Sequence, residues 1–439
     1  MRNLSGIVIS AVLAFFMSAC QINIYYPNEL DRFESLSAPS TVLLIYGIGF
    51  NNLSSSIQGN LNTIAGNILP APGSDQVVLS FTNFSKGDTK WQQETPSHLI
   101  RYSIFEGKVR RDTLLTLEAG RKAVDPQVMK EVLDYVKGKF KAERYGLILS
   151  SHGSGWLPTG YVQDADVARW MHFHETGVGT AKRAPSYSVR RFPALDGPAT
   201  KTFGAEYHGT YRIDADDYEM SIPHLAEALG TGWNFIVFDA CFMASVEVVY
   251  ELRHFADVLC VSAAEVISSG FNYRNMTDIV FRRKMNPEDI CRSFFNLYKG
   301  QTGAWQSATI ANVRTAGLDD LAQTCKALAL KYKAGLAAVD TNAVQLFSRG
   351  GRKWFFDLQD IFAKSGISPA DSAILQQSLD ACISYKAATP KLFEGSSSGE
   401  LEVKAFCGLT MYLPAINNRV LSDYYKQTAW NKEVNLVED

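Results

Sequence analysis

Apolar residues follow two alternating rhythms along this chain. Short continuous runs occur at 41–46 (T-V-L-L-I-Y), 76–81, 145–150 (Y-G-L-I-L-S), 234–238 and 257–262, each bounded by glycine, serine or asparagine. Runs of this length, rich in β-branched residues, predict strands buried on both faces. Between them apolar residues recur at helical spacing. Asp125-Pro126 opens one such stretch, and Val128, Met129, Val132, Leu133, Val136 and Phe140 then lie on a single stripe. Ser221 caps a short helix reaching Leu229, and 245–255 predicts another. Asn51, Asn52 and Ser54 to Ser56 offer caps for a helix reaching about Ile68, while 99–105 and 108–115 form a hairpin. The alternation predicts an α/β fold: a mostly parallel sheet with helices on both faces. Right-handed crossovers then bring the C-terminal ends of the strands to one edge, where open α/β sheets carry their chemistry.

Two regions break the rhythm. The sixty or so residues from Gly153 to Arg212 have loop composition, and unstructured insertions of that length are usually functional. Beyond Thr315 helical patterns dominate (318–332 and 371–385), and a Gly/Ser-rich bend precedes a final apolar strand at 405–413. The predicted organisation is a large α/β domain over 41–315 and a C-terminal α/β extension over 316–439.

The N-terminus changes the picture of where such a protein works. Arg2, a short apolar run from Ile7 to Met17, and Ser18-Ala19 before Cys20 read as an export signal over residues 1–20. That run is too short to span a bilayer. The ending resembles a bacterial lipobox, which implies diacylation of Cys20, a lipid anchor in the cell envelope, and a tether over 21–40. Ordinary signal-peptide cleavage is the alternative.

A net charge of −2, with basic pairs that lack interleaved stacking aromatics, argues against nucleic-acid binding. No C-x-x-C pair suggests a structural zinc site. Cys260, Cys291, Cys325, Cys382 and Cys407 sit among apolar residues and read as buried free thiols.

Cys241 has different surroundings. It follows the 234–238 strand in D-A-C-F-M-A-S-V-E (239–247), and His152 follows the 145–150 strand in S-H-G-S-G-W (151–156). A histidine on a glycine-flanked turn is expected to titrate near neutrality. A thiol just before a helix start is expected to gain thiolate character from the helix terminus. Thiol acyl transfer needs such a pair together with N–H donors for the oxyanion. A structural thiol and a hydrogen-bonded loop histidine are the other reading of the same residues.

These motifs resemble those of the clostripain family of caspase-like cysteine peptidases. Further likeness lies in L-L-I-Y-G-I-G-F-N-N-L-S (43–54), W-F-F-D-L-Q-D-I-F (354–362) and G-L-T-M-Y-L-P (408–414). The resemblance implies a caspase-like fold, protein or peptide substrates, and cleavage after Arg or Lys. It makes Cys241 the nucleophile and His152 its acid/base partner, with the N–H groups of Gly153 and Cys241 as the oxyanion hole. Asp239 becomes the acid at the floor of the pocket for a basic side chain. Two departures stand out: Ser269 occupies the place of a second pocket acid, and Ser151 that of an aspartate before the histidine. Family members are commonly zymogens cut between His and Cys, which makes Lys182-Arg183 and Arg190-Arg191 processing candidates, with a solvated basic loop as the alternative. No cofactor is expected from the sequence. His172 and His174 lack a third metal ligand, and calcium, known in the family, has only the cluster Asp214, Asp216, Asp217 behind it, whose spacing is not that of an EF-hand. Two other functions fit the same motifs: a weakened relative that binds peptides, and a hydrolase of esters or isopeptides.

Overall fold

The computed structural model describes residues 39–86, 93–159, 161, 202–206, 218–396 and 399–438. In chain order the strands are β1 (Thr41–Gly49), β2 (Gln76–Lys86), β3 (Gln93–Glu94), β4 (Ser97–Phe105), β5 (Lys108–Leu117), β6 (Arg144–Ser150), β7 (Thr202–Glu206), β8 (Tyr218–Ser221), β9 (Trp233–Asp239), β10 (Ala256–Val261), β11 (Thr309–Arg314), β12 (Phe356–Asp357) and β13 (Ile383–Ala388). The main sheet has the order β13-β11-β10-β9-β6-β1-β2-β4-β5, with β3 beside β2. Its centre, from β2 to β10, is parallel, and both flanks are antiparallel. The sheet is mixed, and its parallel centre is the part that the strand–helix alternation implied.

Alternate side chains of one strand enter different cores. Val42, Leu44, Tyr46 and Ile48 of β1 join one cluster, whereas Leu43 and Ile45 join the other. Helix Pro126–Lys139 covers the first face with its predicted stripe, and Asp125 accepts from Gln127 N at 2.8 Å to cap it. Helices Ser54–Ala65 and Pro287–Lys299 cover the second. Burial on both sides is why these strands read as unbroken apolar runs.

Several expected boundaries move. The helix expected to reach Ile68 ends at Ala65, and its N-cap is Leu53 without a side-chain cap; Asn51 Oδ1 accepts from Leu53 N at 2.8 Å just ahead of it, and Asn52 turns elsewhere. The 245–255 helix is Val246–Glu251 with turns behind it. The loop-like stretch holds β7, which pairs with β8. The helix expected over 371–385 starts at Pro369, capped by Ser368, and stops at Cys382. Ile383 onward becomes β13 because β11 offers it a ladder, and pairing overrides local propensity. The expected strand at 405–413 shrinks to Thr410–Met411, since Gly408 at φ +103 breaks the extended run and Cys407 N donates to Asp357 Oδ2 at 2.6 Å.

The chain beyond 315 therefore returns to the same sheet. Helices Leu318–Lys331 and Pro369–Cys382 and the aromatic Tyr412, Tyr425 and Trp430 share one core with β1, β6 and β9.

Candidate active site

The parallel ladder between β6 and β9 sets the site. Ser150 pairs with Asp239, so two residues further on each strand bring His152 and Cys241 level at the C-terminal edge. The contact is close: a Cβ on Gly153 would lie 2.5 Å from Cys241 O and 3.0 Å from Cys241 N. Only glycine fits there, because the turn after His152 and the turn at Cys241 touch backbone to backbone. Among the described residues, no backbone acceptor is seen for the Gly153 or the Cys241 amide, and the Gly153 backbone packs against the Cys241 peptide.

Each turn is braced from outside. Phe242, just after Cys241, is left-handed at φ +62, an unfavourable conformation for an aromatic residue. Its ring stacks on Phe355 at 4.5 Å and its N–H donates to Ala264 O at 3.1 Å. Thr410 N donates to Ala244 O at 2.9 Å, so a late segment of the chain holds the turn that follows Cys241. Ser151 Oγ donates to Ile48 O at 3.0 Å and accepts from Ala205 N at 3.3 Å, tying the histidine's turn to β1 and β7. Trp156 of the histidine motif is buried among Tyr412, Tyr424 and Tyr425.

His152 and Cys241 line one cleft of about 350 Å³ with Ser150, Asp239, Glu265, Val266, Ser268, Arg349 and Phe393. His152 Nε2 lies 2.6 Å from Asn52 Oδ1. An amide oxygen only accepts, so the pairing assigns the proton to Nε2 and leaves Nδ1 as the basic nitrogen. Sequence reasoning took Asn52 for a helix cap. The N-N-L turn divides its work: buried Asn51 bridges Ile48 O and Ala205 O, and Asn52 meets the histidine.

The electrostatics correct two expectations. Burial pushes His152 down to about 4, not near neutrality. Burial likewise pushes the Cys241 thiol up to about 12, despite Val266 N donating to Sγ at 3.4 Å. The helix that was to favour the thiolate starts at Val246, too far along the chain to act on it. Both partners are therefore neutral in the free protein at neutral pH.

Asp239 lines the cleft and is buried. Tyr273 Oη donates to Oδ2 at 2.7 Å and Ser150 Oγ at 3.1 Å, while burial raises its carboxyl to about 6. A Cβ on Gly270 would come within 2.4 Å of Oδ2, so glycine there lets the chain close over the acid. Ser269 is not among the cleft walls; its hydroxyl meets Tyr298 Oη at 3.1 Å, and Ser268 faces the cleft in its place. Cys260, Cys291, Cys325, Cys382 and Cys407 are free and buried. Among the described residues no cluster of three or more His, Cys, Asp or Glu could hold a metal ion. Cys20, His172, His174, Lys182, Arg183, Arg190, Arg191, Asp214, Asp216 and Asp217 lie outside the described residues.

A caspase-like sheet that presents a thiol and an imidazole in one cleft at its C-terminal edge defines the class: an α/β thiol hydrolase. Residues 70–181 and 211–435 match the family model described as the Clostripain family, and the chain belongs to that family of cysteine peptidases. Clostripain of Hathewaya histolytica is 26% identical over 272 residues, covering 57% of this chain and 45% of that relative's length. Among solved structures, an inactive zymogen C11 protease from Parabacteroides distasonis superposes with a TM-score of 0.68 at 22% identity, over 90% of this chain and 98% of that one. A secreted C11 cysteine protease from Bacteroides thetaiotaomicron, in complex with an irreversible peptide inhibitor, gives 0.69 at 22% identity, over 90% and 99%.

Proposed function

We propose that the chain is a cysteine endopeptidase in which Cys241 attacks the scissile carbonyl and His152 moves the proton. The observation that carries this reading is the β6–β9 register, which sets both side chains at one cleft. Starting from neutral partners, the thiol proton passes to His152 as sulfur attacks, and His152 returns it to the leaving amine. The adjacent Gly153 and Cys241 amides receive the oxyanion. Asp239 at the floor favours Lys or Arg before the cut, with Ser150 and Tyr273 orienting its carboxylate. With Ser269 turned to Tyr298, one carboxylate carries that preference, and a charged hydrogen bond of about 1.5–3 kcal/mol sets its scale.

The same chemistry would act on Lys182-Arg183 or Arg190-Arg191 in the chain itself. Gly153 bridges Phe203 of β7, so both ends of a cut between His152 and β7 stay attached to the body. Export and lipidation at Cys20 complete the proposal, with peptide substrates met at the envelope. Mass spectrometry of purified protein incubated with a mixed peptide library, beside Cys241→Ala, tests the reading: cuts after Lys and Arg appear only with the native chain. Equal cutting by Cys241→Ala would overturn it.

A further inference from the structure

Besides the Cys241 thiol, four charged or titratable groups face the cleft from different elements: His152 after β6, Asp239 at the end of β9, Glu265 after β10, and Arg349 from the segment before Gly350. Three are acids or the catalytic base. The fourth, a guanidinium inside a cleft that is to receive a basic side chain, has no part in the mechanism above.

Arg349 is held in place. Its Nε pairs with Glu265 Oε2, its plane lies 3.8 Å from the Phe393 ring centroid, and Nη1 reaches Ser396 Oγ and Gly399 O, each at 3.4 Å. Its side chain is 17% exposed and that of Glu265 28%, so water screens the pair only in part. Glu265 immediately precedes Val266, whose N–H and C=O both contact Cys241 Sγ. An uncompensated carboxylate at this point would oppose thiolate formation at the nucleophile.

We propose that Arg349 is a positioning residue for the nucleophile, a fixed counter-ion that cancels Glu265 and keeps the Cys241 thiolate accessible during attack. The directions of the electrostatic influences agree: Glu265 and Asp239 push the thiol up, and Arg349 pulls it down. The pair also leaves Asp239 as the uncancelled carboxylate of the cleft, so a substrate's cation is drawn to the floor and not to the rim. The inference rests on the proposed function only in taking Cys241 as the nucleophile.

The test is the rate at which iodoacetamide alkylates Cys241 at pH 8 in low salt, read by peptide mass spectrometry. Alkylation joins carbon to the thiolate sulfur with loss of iodide, so at a pH far below the thiol's pKa the rate follows the thiolate fraction. Arg349→Gln should slow labelling by about threefold or more, and Glu265→Gln should speed it by a similar factor, each being about half a pKa unit. The double variant and Arg349→Lys should both stay within about twofold of the native rate. Loosened packing would move both single variants in the same direction. That result, or no change beyond twofold in either, overturns the inference. Native labelling at Cys241 without any peptide cleavage would count against the proposed function and leave this inference standing.

Discussion

At the residue scale the proposed Cys241–His152 pair is neutral before substrate arrives. Its imidazole is set near 4 and its thiol near 12, both by burial. Alkylation of Cys241 should therefore rise about tenfold per pH unit from pH 6 to 9. A plateau below pH 8 would instead indicate a preformed thiolate–imidazolium pair. Asn52 is expected to matter through His152 alone. Asn52→Ala should lower kcat by about ten- to a hundredfold with little change in KM, since a misaimed ring costs rate and not binding. Asn52→Asp, which still accepts from Nε2–H, should recover most of it and raise the pH at which His152 titrates. Asp239 is raised in the fold to about 6, so its protonated form is the one the fold favours. Stability linked to it is present below its unfolded pKa and lost as pH rises through 6. The unfolding-temperature difference between Asp239→Asn and the native chain should grow from about pH 4 to 6 and then level, for up to about 3 kcal/mol. Preference for basic over neutral substrates should fade over the same interval as pH drops.

At the element scale the β6–β9 ladder carries the site, and its packing has a sharp dependence on one glycine. A Cβ on Gly146 of β6 would sit 2.1 Å from the Phe235 ring of β9. Gly146→Ala should cost about 1–3 kcal/mol in chemical denaturation, through overpacking between the two strands that deliver the dyad. The central strands and the 126–139 helix were legible because burial on two faces, or on one stripe, leaves a local pattern in sequence. The proposed pair stood out in the sequence because His152 sits in a glycine-rich turn after one buried run and Cys241 directly follows another. What sequence did not show depended on distant partners. Ile383 to Ala388 continue a helical pattern until β11 claims them as a strand. Asn52 looks like a cap until the fold brings His152 to it. The pKa directions of Cys241 and His152 invert the local expectation because burial, which the assembled fold sets and a short motif does not, dominates both. Arg349 carries no motif at all.

At the scale of the whole molecule, one core joins the sheet to the segments after 315. A chain ending at 315 loses β13 and the helices over Leu328, Leu375 and Leu379, and should show no cooperative unfolding transition by circular dichroism. Conversely, a chain cut between His152 and β7 should remain one particle on gel filtration, since both ends stay anchored. The central claim is that residues 152 and 241 act together on an amide. It is tested most directly by incubating the folded native chain, Cys241→Ala and His152→Ala with peptides bearing a single Arg or Lys, and following cleavage by mass spectrometry. The account expects a cut after the basic residue with the native chain, and rates lower by at least about a hundredfold in both variants. Native-like cleavage by either variant would contradict it.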